Sequence, residues 1–303
     1  MAHSHGYIGS QQGLSEKRLS WATGLNFLIA AAEVVGGLLS NSLALLSDAL
    51  HNLSDAFALL IALIANKVSK RSTSEKQTFG YKRIEILAAL FNAVVLIAIS
   101  FYLFYEAFQR FLQPEEINST LMLFVAAIGL AANLIAVFLL KKDAKHNLNV
   151  KAAYLHLLGD TFSSVAVIAG GLLMYFFQWY WFDPLITVII GLYILKETWS
   201  ILRETIQILM QATPEEINFH KINKRMLTLP EVSNLHHVHA WKLTDKEIHF
   251  EGHVEVKEDL PVSKLSAIRE QMEKILMHEF NIAHVTIQFE YNECDPKDLI
   301  AKK

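Results

Sequence analysis

Two His-x-x-x-Asp pairs lie inside long apolar stretches of this sequence, where ionisable side chains are rare. His51 and Asp55 form the first pair, and His156 and Asp160 form the second. A spacing of four residues puts both members on one face of a helix, about 5–6 Å apart at Cβ. Two such faces opposed would supply two imidazole nitrogens and two carboxylate oxygens, a natural tetrahedral set for zinc. The spacing therefore predicts a divalent-metal site within membrane-spanning helices.

Each of these residues taken alone could instead be a hydrogen-bonding partner between helices. An ionisable group at membrane depth costs a few kcal/mol, so it persists where it lines a polar cavity or binds something. Two matching pairs on two spans favour metal binding. Asp48, one turn before Asn52, is interpreted as a residue that lines a polar cavity or supports the ligands without binding the metal itself. Glu33, Asn26 and Asn92 are interpreted as cavity-lining or packing residues, with structural hydrogen bonding favoured for Asn26 and Asn92.

Six apolar stretches are long enough to position these residues in a membrane. A hydrocarbon core about 30 Å thick needs roughly 20 helical residues. The predicted spans cover approximately residues 20–39, 43–65, 84–111, 119–140, 152–177 and 184–206. Ser40 to Ser42 suit a tight hairpin between the first two spans, and Asp183 with Pro184 predicts the N-cap and first residue of the sixth. We therefore expect an all-α transmembrane bundle of six helices.

The chain changes to ordinary soluble composition near residue 212. This break predicts three parts, which are a tail at 1–19, a transmembrane domain of six spans at 20–211 and a second domain at 212–303. Lys and Arg crowd the amino-terminal tail and the links after spans two and four, whereas Arg110 stands alone on the opposite side. The positive-inside rule then predicts a multi-pass protein of the cell (plasma or inner) membrane with both termini cytoplasmic.

The carboxyl-terminal part has the periodicity of a small α+β domain. Thr213 and Pro214 resemble a helix start, with a helix ending before Pro230. Residues 232–243 and 248–256 read as two strands joined by a turn at Thr244 to Lys246. Residues 262–280 have helical periodicity, and residues 285–289 alternate as a last strand. The predicted order is α-β-β-α-β.

A dense set of histidines marks this second domain. They are His236, His237, His239, His249, His253, His278 and His284. On a strand, His237 and His239 share one face, while His236 points to the other. One metal cannot therefore collect all of them.

Long ordered motifs in this chain resemble the cation diffusion facilitator family, in its zinc-exporting branch of bacterial zinc, cadmium and cobalt efflux transporters. They are NSLALLSDALHNLSD at 41–55, TFGYKRIEIL at 78–87, NVKAAYLHLLGD at 149–160, HHVHAW at 236–241 and HVTIQFE at 284–290. The resemblance implies a homodimeric metal–proton antiporter in the lipid bilayer with a ferredoxin-like cytoplasmic domain. It implies no prosthetic group, and it makes Zn²⁺ the substrate, with Cd²⁺ or Co²⁺ as companions.

The same resemblance implies which residues hold metal. It assigns transport to His51, Asp55, His156 and Asp160. For the cytoplasmic domain, where Zn²⁺ is expected as a structural or regulatory ligand, it favours His236, His253 and Glu290. Further candidates there are Gln288, His239 and His284.

Several other classes of site or partner are disfavoured by composition. The formal net charge of −3 comes without a basic stripe interleaved with aromatics, so we expect no nucleic-acid partner. A single cysteine, Cys294, excludes an intrachain disulfide framework and is expected to be free. The link at 66–82 contains no His or Asp, so it predicts no metal site between spans two and three.

Zinc binding needs neutral imidazole and ionised carboxylate, so it displaces protons. We expect alternating access, in which zinc enters from the cytoplasm and protons from outside displace it. A membrane metalloenzyme is one alternative, but it needs an open coordination position, and no H-E-x-x-H motif is present. A metal sensor is another, although a sensor has no need of ligands deep in the bilayer. The sequence therefore predicts a transporter and no enzyme.

Overall fold

Six helices carry the apolar part of the chain. The computed structural model describes residue 24 and residues 27–69, 71–141, 148–293 and 298–300. The helices are α1 (Phe27–Ser40), α2 (Leu43–Ser69), α3 (Ile84–Leu112), α4 (Ser119–Leu140), α5 (Leu148–Phe177) and α6 (Phe182–Leu209). They confirm the predicted six-helix arrangement, with ends that differ from the predicted spans by a few residues. The start of the first predicted span lies largely outside the described residues.

Four of the described helices are long and apolar enough to cross a membrane by length and composition. They are α3, α4, α6 and the Leu157–Phe177 part of α5. The described part of α1 is shorter, and the apolar sequence of α2 is interrupted by Asp48, His51 and Asp55. Large side chains such as Phe138, Phe162 and Phe176 are more than two-thirds exposed, as lipid-facing residues would be.

The chain divides into two compact units. Unit 1 comprises Met1–Leu63 with Phe91–Ile201, and unit 2 comprises Ile64–Leu90 with Leu202–Lys303. In unit 1, Leu45 of α2, Met122 of α4 and Val167 of α5 belong to one buried cluster, to which α3 and α6 also contribute. Small residues allow close helix packing there, because a Cβ at Gly170 would overlap the Ile186 side chain.

A tight hairpin joins α1 to α2, as predicted. Asn41 takes a left-handed conformation with φ of 59°, which Asn adopts more readily than most residues. The Ser42 amide donates to the Gly37 carbonyl at 3.0 Å. This bond satisfies one of the last carbonyl groups of α1.

Asp183 does not have the capping role that the sequence predicts. It lies inside α6, and its carboxylate accepts hydrogen bonds from the backbone amides of Leu43 at 2.8 Å and Ala44 at 3.2 Å. The Ser42 hydroxyl donates to the same carboxylate at 2.5 Å. Asp183 therefore caps the amino terminus of α2, whose free N–H groups attract an anion. The Arg110 guanidinium lies 3.8 Å away and balances the charge.

Unit 2 contains the predicted α-β-β-α-β order. Its elements are α7 (Phe219–Met226), β1 (Val232–Lys242), β2 (Ile248–Val256), α8 (Val262–Phe280) and β3 (His284–Glu290). The sheet order is β1-β2-β3, with β1 and β2 antiparallel and β2 and β3 parallel. Leu235, Phe250, Met272 and Leu276 are buried in its core, between the sheet and the helices.

The predicted helix start at Thr213 is wrong. Residues 214–217 form a turn, closed by a bond from the Ile217 amide to the Pro214 carbonyl. The helix begins later, where the Asn218 side chain accepts from the Lys221 amide at 3.1 Å. Asn is as good an N-cap as Thr, so local sequence alone did not separate the two.

Candidate metal-binding sites

Three of the four residues predicted for the membrane site come together between α2 and α5. The Nε2 atom of His51 lies 3.5 Å from an oxygen of Asp55 and 3.9 Å from an oxygen of Asp160. The Asp160 side chain is 2% exposed and that of His51 is 12% exposed. An imidazole nitrogen between two carboxylates is an arrangement that suits a divalent cation.

His156 is the fourth predicted member. Its backbone lies in α5, one helical turn before Asp160, and its side chain is outside the described part of the structure. Residues four apart share a helix face, so the backbone puts His156 on the side of α5 that carries Asp160.

Asp48 is hydrogen-bonded to α5 beside this group. The hydroxyls of Ser163 and Ser164 donate to its two carboxylate oxygens, the latter at 3.3 Å. Asp48 is 1% exposed, and Asn133 of α4 donates to Ser164 at 3.5 Å. These bonds tie α2 to α5 beside the candidate ligands. The sequence interpretation missed the two serines, although they follow Asp160 at the helical spacing of three and four.

Some other polar residues of the bundle form hydrogen bonds between helices. Asn52 donates to Glu33 of α1 at 3.1 Å, and Ser54 donates to Asn92 of α3 at 3.0 Å. Asn26 lies outside the described residues. Hydrogen bonds of this kind fix how neighbouring helices meet in a membrane.

A second group of candidate ligands forms in unit 2 from His236, His253 and Glu290. Glu290 lies between the two imidazoles, with His236 Nε2 at 3.0 Å and His253 Nδ1 at 2.6 Å. The possible ligand atoms all lie within 4.8 Å of one another. Gln288 donates to Glu290 at 2.8 Å and so orients the carboxylate. Two imidazoles and a carboxylate are a natural zinc set with room for a fourth ligand.

Strand pairing explains why these residues meet. His236 of β1 pairs with His253 of β2, and β2 pairs in parallel with β3, which brings in Glu290. The β1–β2 register shifts between His236 and His239, and His237 there has a left-handed φ of 50°. An irregularity of this kind re-aims side chains, and it lets the His237 ring stack on His253 at 4.8 Å.

His239 and His284, two of the three lower-ranked candidates, are not part of this group. His284 pairs with His249, which lies four residues from His253, or about 13 Å along the strand. His239 pairs with Glu251, and its ring lies beside His237 at 5.3 Å, as their predicted common face requires. The family resemblance suggested both histidines as possible ligands, but the strand register separates them from Glu290.

His249 has the environment of a packed aromatic residue. Its ring stacks on Trp241 at 5.5 Å and contacts His284 at 4.9 Å. Burial and the nearby His284 lower the pKa of His249, and Lys82 and Arg83 lower it further, against an opposing effect of Glu247. The imidazole therefore stays neutral near neutral pH. Cys294, which the sequence indicates is free, lies outside the described residues.

Comparison with protein families accounts for most of the chain. The model of the cation efflux transmembrane domain matches residues 20–210. The model of the cation efflux protein cytoplasmic domain matches residues 214–292. Both candidate sites fall within these matches.

Curated relatives resemble the chain over nearly its whole length. The metal cation efflux system protein CzcD of Cupriavidus metallidurans is 40% identical over 98% of this chain and 92% of its own. The zinc transporter ZitB of Escherichia coli is 37% identical over 98% of this chain and 95% of its own. The cadmium, cobalt and zinc/H(+)-K(+) antiporter of Bacillus subtilis is 40% identical over 85% of this chain and 83% of its own.

Proposed function

The chain belongs to the cation efflux family of membrane transporters, and on that premise we propose that it exports zinc from the cytoplasm in exchange for protons. Its activity is metal efflux, and it is a multi-pass membrane protein. We further propose which metal is transported, which counter-ion is exchanged for it and which residues bind them.

The observation that carries the proposal is the convergence of His51, Asp55 and Asp160 between two helices of the bundle. His156, one helical turn before Asp160 in the sequence, would add a second nitrogen donor and complete a set of two nitrogens and two oxygens. Such a set suits zinc, whereas sites of oxygen alone favour magnesium, calcium or manganese. Relatives named for zinc, and for cadmium, cobalt and zinc, support zinc as substrate with cadmium and cobalt as companions.

Exchange for protons follows from the ligand chemistry. Histidine binds zinc only when neutral, and aspartate binds it when ionised, so loading the site expels protons. A free histidine has a pKa of about 6.5, which makes reprotonation accessible at physiological pH. The name of the Bacillus subtilis relative includes a proton, which supports this counter-ion. Alternating access then couples inward proton movement to outward zinc movement.

The placement of the parts is also a proposal. Both termini are cytoplasmic in the plasma or inner membrane, because lysines and arginines concentrate on that side. The parts are the tail at 1–19, the transport domain at 20–211 and the cytoplasmic domain at 212–303. Two chains form a homodimer, and the cytoplasmic domain binds zinc through His236, His253 and Glu290 as a structural or regulatory ligand.

Metal selectivity in proteoliposomes tests the zinc assignment. We expect the wild type to carry zinc fastest, then cadmium and cobalt, with little manganese or iron. His51→Asp should raise manganese transport relative to zinc, because the site then holds more oxygen donors. The same change at His220, an exposed residue of α7, is the matched control and should leave selectivity unaltered. Manganese transport by the wild type at the rate of zinc would contradict the proposal.

A further inference from the structure

Glu33 of α1 is a carboxyl group buried inside the helix bundle and apart from the candidate metal ligands. Its side chain is 1% exposed, and Asn52 of α2, which is fully buried, donates to its Oε2 atom at 3.1 Å. A buried charge normally has an ionic partner or binds a cation, because removing it from water is costly. In the described part of the chain, no basic side chain forms an ion pair with Glu33.

One additional proton would complete the hydrogen bonding between Glu33 and Asn52. Glu33 Oε1 and Asn52 Oδ1 are both buried, and within the described residues neither has a hydrogen-bond partner. Both atoms are acceptors when Glu33 is ionised, so they cannot bond to each other. A proton on Oε1 turns that oxygen into a donor. The acid and the amide could then form two hydrogen bonds, one in each direction.

The surroundings of Glu33 also disfavour a negative charge. Its Oε1 atom packs against Gly129 of α4, where a Cβ would collide with it. Helix α4 contains no ionisable residue. The charged groups that face Glu33 from the other helices are Asp48 of α2 and Asp160 of α5, with His51 beside Asp48. Two acidic neighbours and a tightly packed oxygen both favour the neutral acid.

We propose that Glu33 is a proton-binding site, paired with Asn52 and separate from the metal ligands, that carries a proton of the exchange. Its use in transport rests on the proposed zinc–proton exchange, whereas its protonation does not. Zinc arriving beside Asp160 adds positive charge near Glu33 and favours release of its proton. Release would remove the hydrogen bond that this proton makes to Asn52 and leave the one from the Asn52 amide to Glu33 Oε2. Because Asn52 follows His51 directly, the change acts on the helix that carries two of the proposed ligands.

Infrared spectroscopy of the full-length protein tests the protonation directly. At neutral pH the wild type should show the carbonyl band of a protonated carboxylic acid that is absent in Glu33→Gln. The control Glu116→Gln, which alters an exposed carboxylate, should leave that band in place. Asn52→Ala should shift the band to higher frequency, because the carbonyl loses its donor. An undiminished band in Glu33→Gln, or an unmoved band in Asn52→Ala, would overturn the proposal.

Proton release on metal binding tests the role in exchange. Zinc added to weakly buffered protein should release fewer protons from Glu33→Gln than from wild type, with Glu116→Gln matching wild type. Equal release from Glu33→Gln and wild type would remove Glu33 from the exchange. The two proposals fail separately, because wild-type zinc flux that ignores a pH gradient would contradict proton coupling while leaving the infrared result intact.

Discussion

At the scale of single residues, the two candidate metal sites use the same donors in different settings. The membrane group places His51 between carboxylates of two helices. The group in unit 2 places one carboxylate, Glu290, between His236 and His253. In that second group the carboxylate keeps both imidazole nitrogens pointed at a common position, so a metal could bind with little rearrangement.

Replacing Glu290 should weaken metal binding by unit 2. Glu290→Gln removes the negative charge while keeping the shape, so zinc affinity should fall by at least the roughly 10–100-fold that loss of a supporting partner costs. Isothermal titration calorimetry of full-length protein in a His51→Ala background measures this site with the membrane site disabled.

His284→Ala is the matched control, since its ring lies against His249 and outside the Glu290 group. It should leave zinc affinity in that background unchanged. A loss as large as that of Glu290→Gln would show that the ligands have been assigned to the wrong end of the sheet.

At the scale of elements, the cap of α2 shows where local sequence is insufficient. Asp183 next to Pro184 has the pattern of a helix start, and the pattern predicts a cap for its own helix. The structure instead joins Asp183 to the amides of Leu43 and Ala44, 140 and 139 residues away in sequence. A negative charge stabilises the start of either helix, and only tertiary packing determines which of the two the Asp183 carboxylate caps.

Asp183→Asn should destabilise the bundle. The carboxylate accepts three hydrogen bonds and balances Arg110, whereas an amide offers one acceptor atom and places an NH₂ donor against backbone N–H groups. Loss of a buried, charge-assisted bond costs about 1.5–3 kcal/mol. Reversible unfolding in mixed detergent should show a decrease of that size.

Glu115→Gln provides the comparison, because Glu115 also lies near Arg110 but has an exposed side chain. Exposed ion pairs contribute about 0–1 kcal/mol. If the two variants lost equal stability, Asp183 would not be the cap that holds α2.

At the scale of the whole molecule, patterns that repeat along the chain predicted the architecture. Apolar stretches of about 20 residues predicted the helices, and two strand-like segments on either side of a turn predicted β1 and β2 within one residue of their ends. The spacing of His51 with Asp55 similarly predicted one face of the membrane site. These features depend on residues that are close in the sequence, so the sequence of one chain is enough to predict them.

Local sequence patterns of this kind could not predict contacts between segments that are distant in the sequence. The group at Glu290 depends on the pairing of His236 with His253 and on the parallel pairing of β2 with β3, and neither has a local signature. Residue type alone could not exclude His239 or His284. The pairing of Glu33 with Asn52 joins separate helices and was predicted only as a general cavity role.

The most direct test of the central claim is zinc flux in proteoliposomes with an imposed pH gradient. Wild-type protein should move zinc against its gradient when protons flow the other way, and collapsing the proton gradient should abolish this uphill movement. Asp160→Asn should abolish it even with the gradient in place, because zinc loses an ionised ligand, whereas Glu116→Gln should behave as wild type. Wild-type zinc flux that is indifferent to the proton gradient, or uphill flux that persists in Asp160→Asn, would contradict zinc–proton exchange at this site.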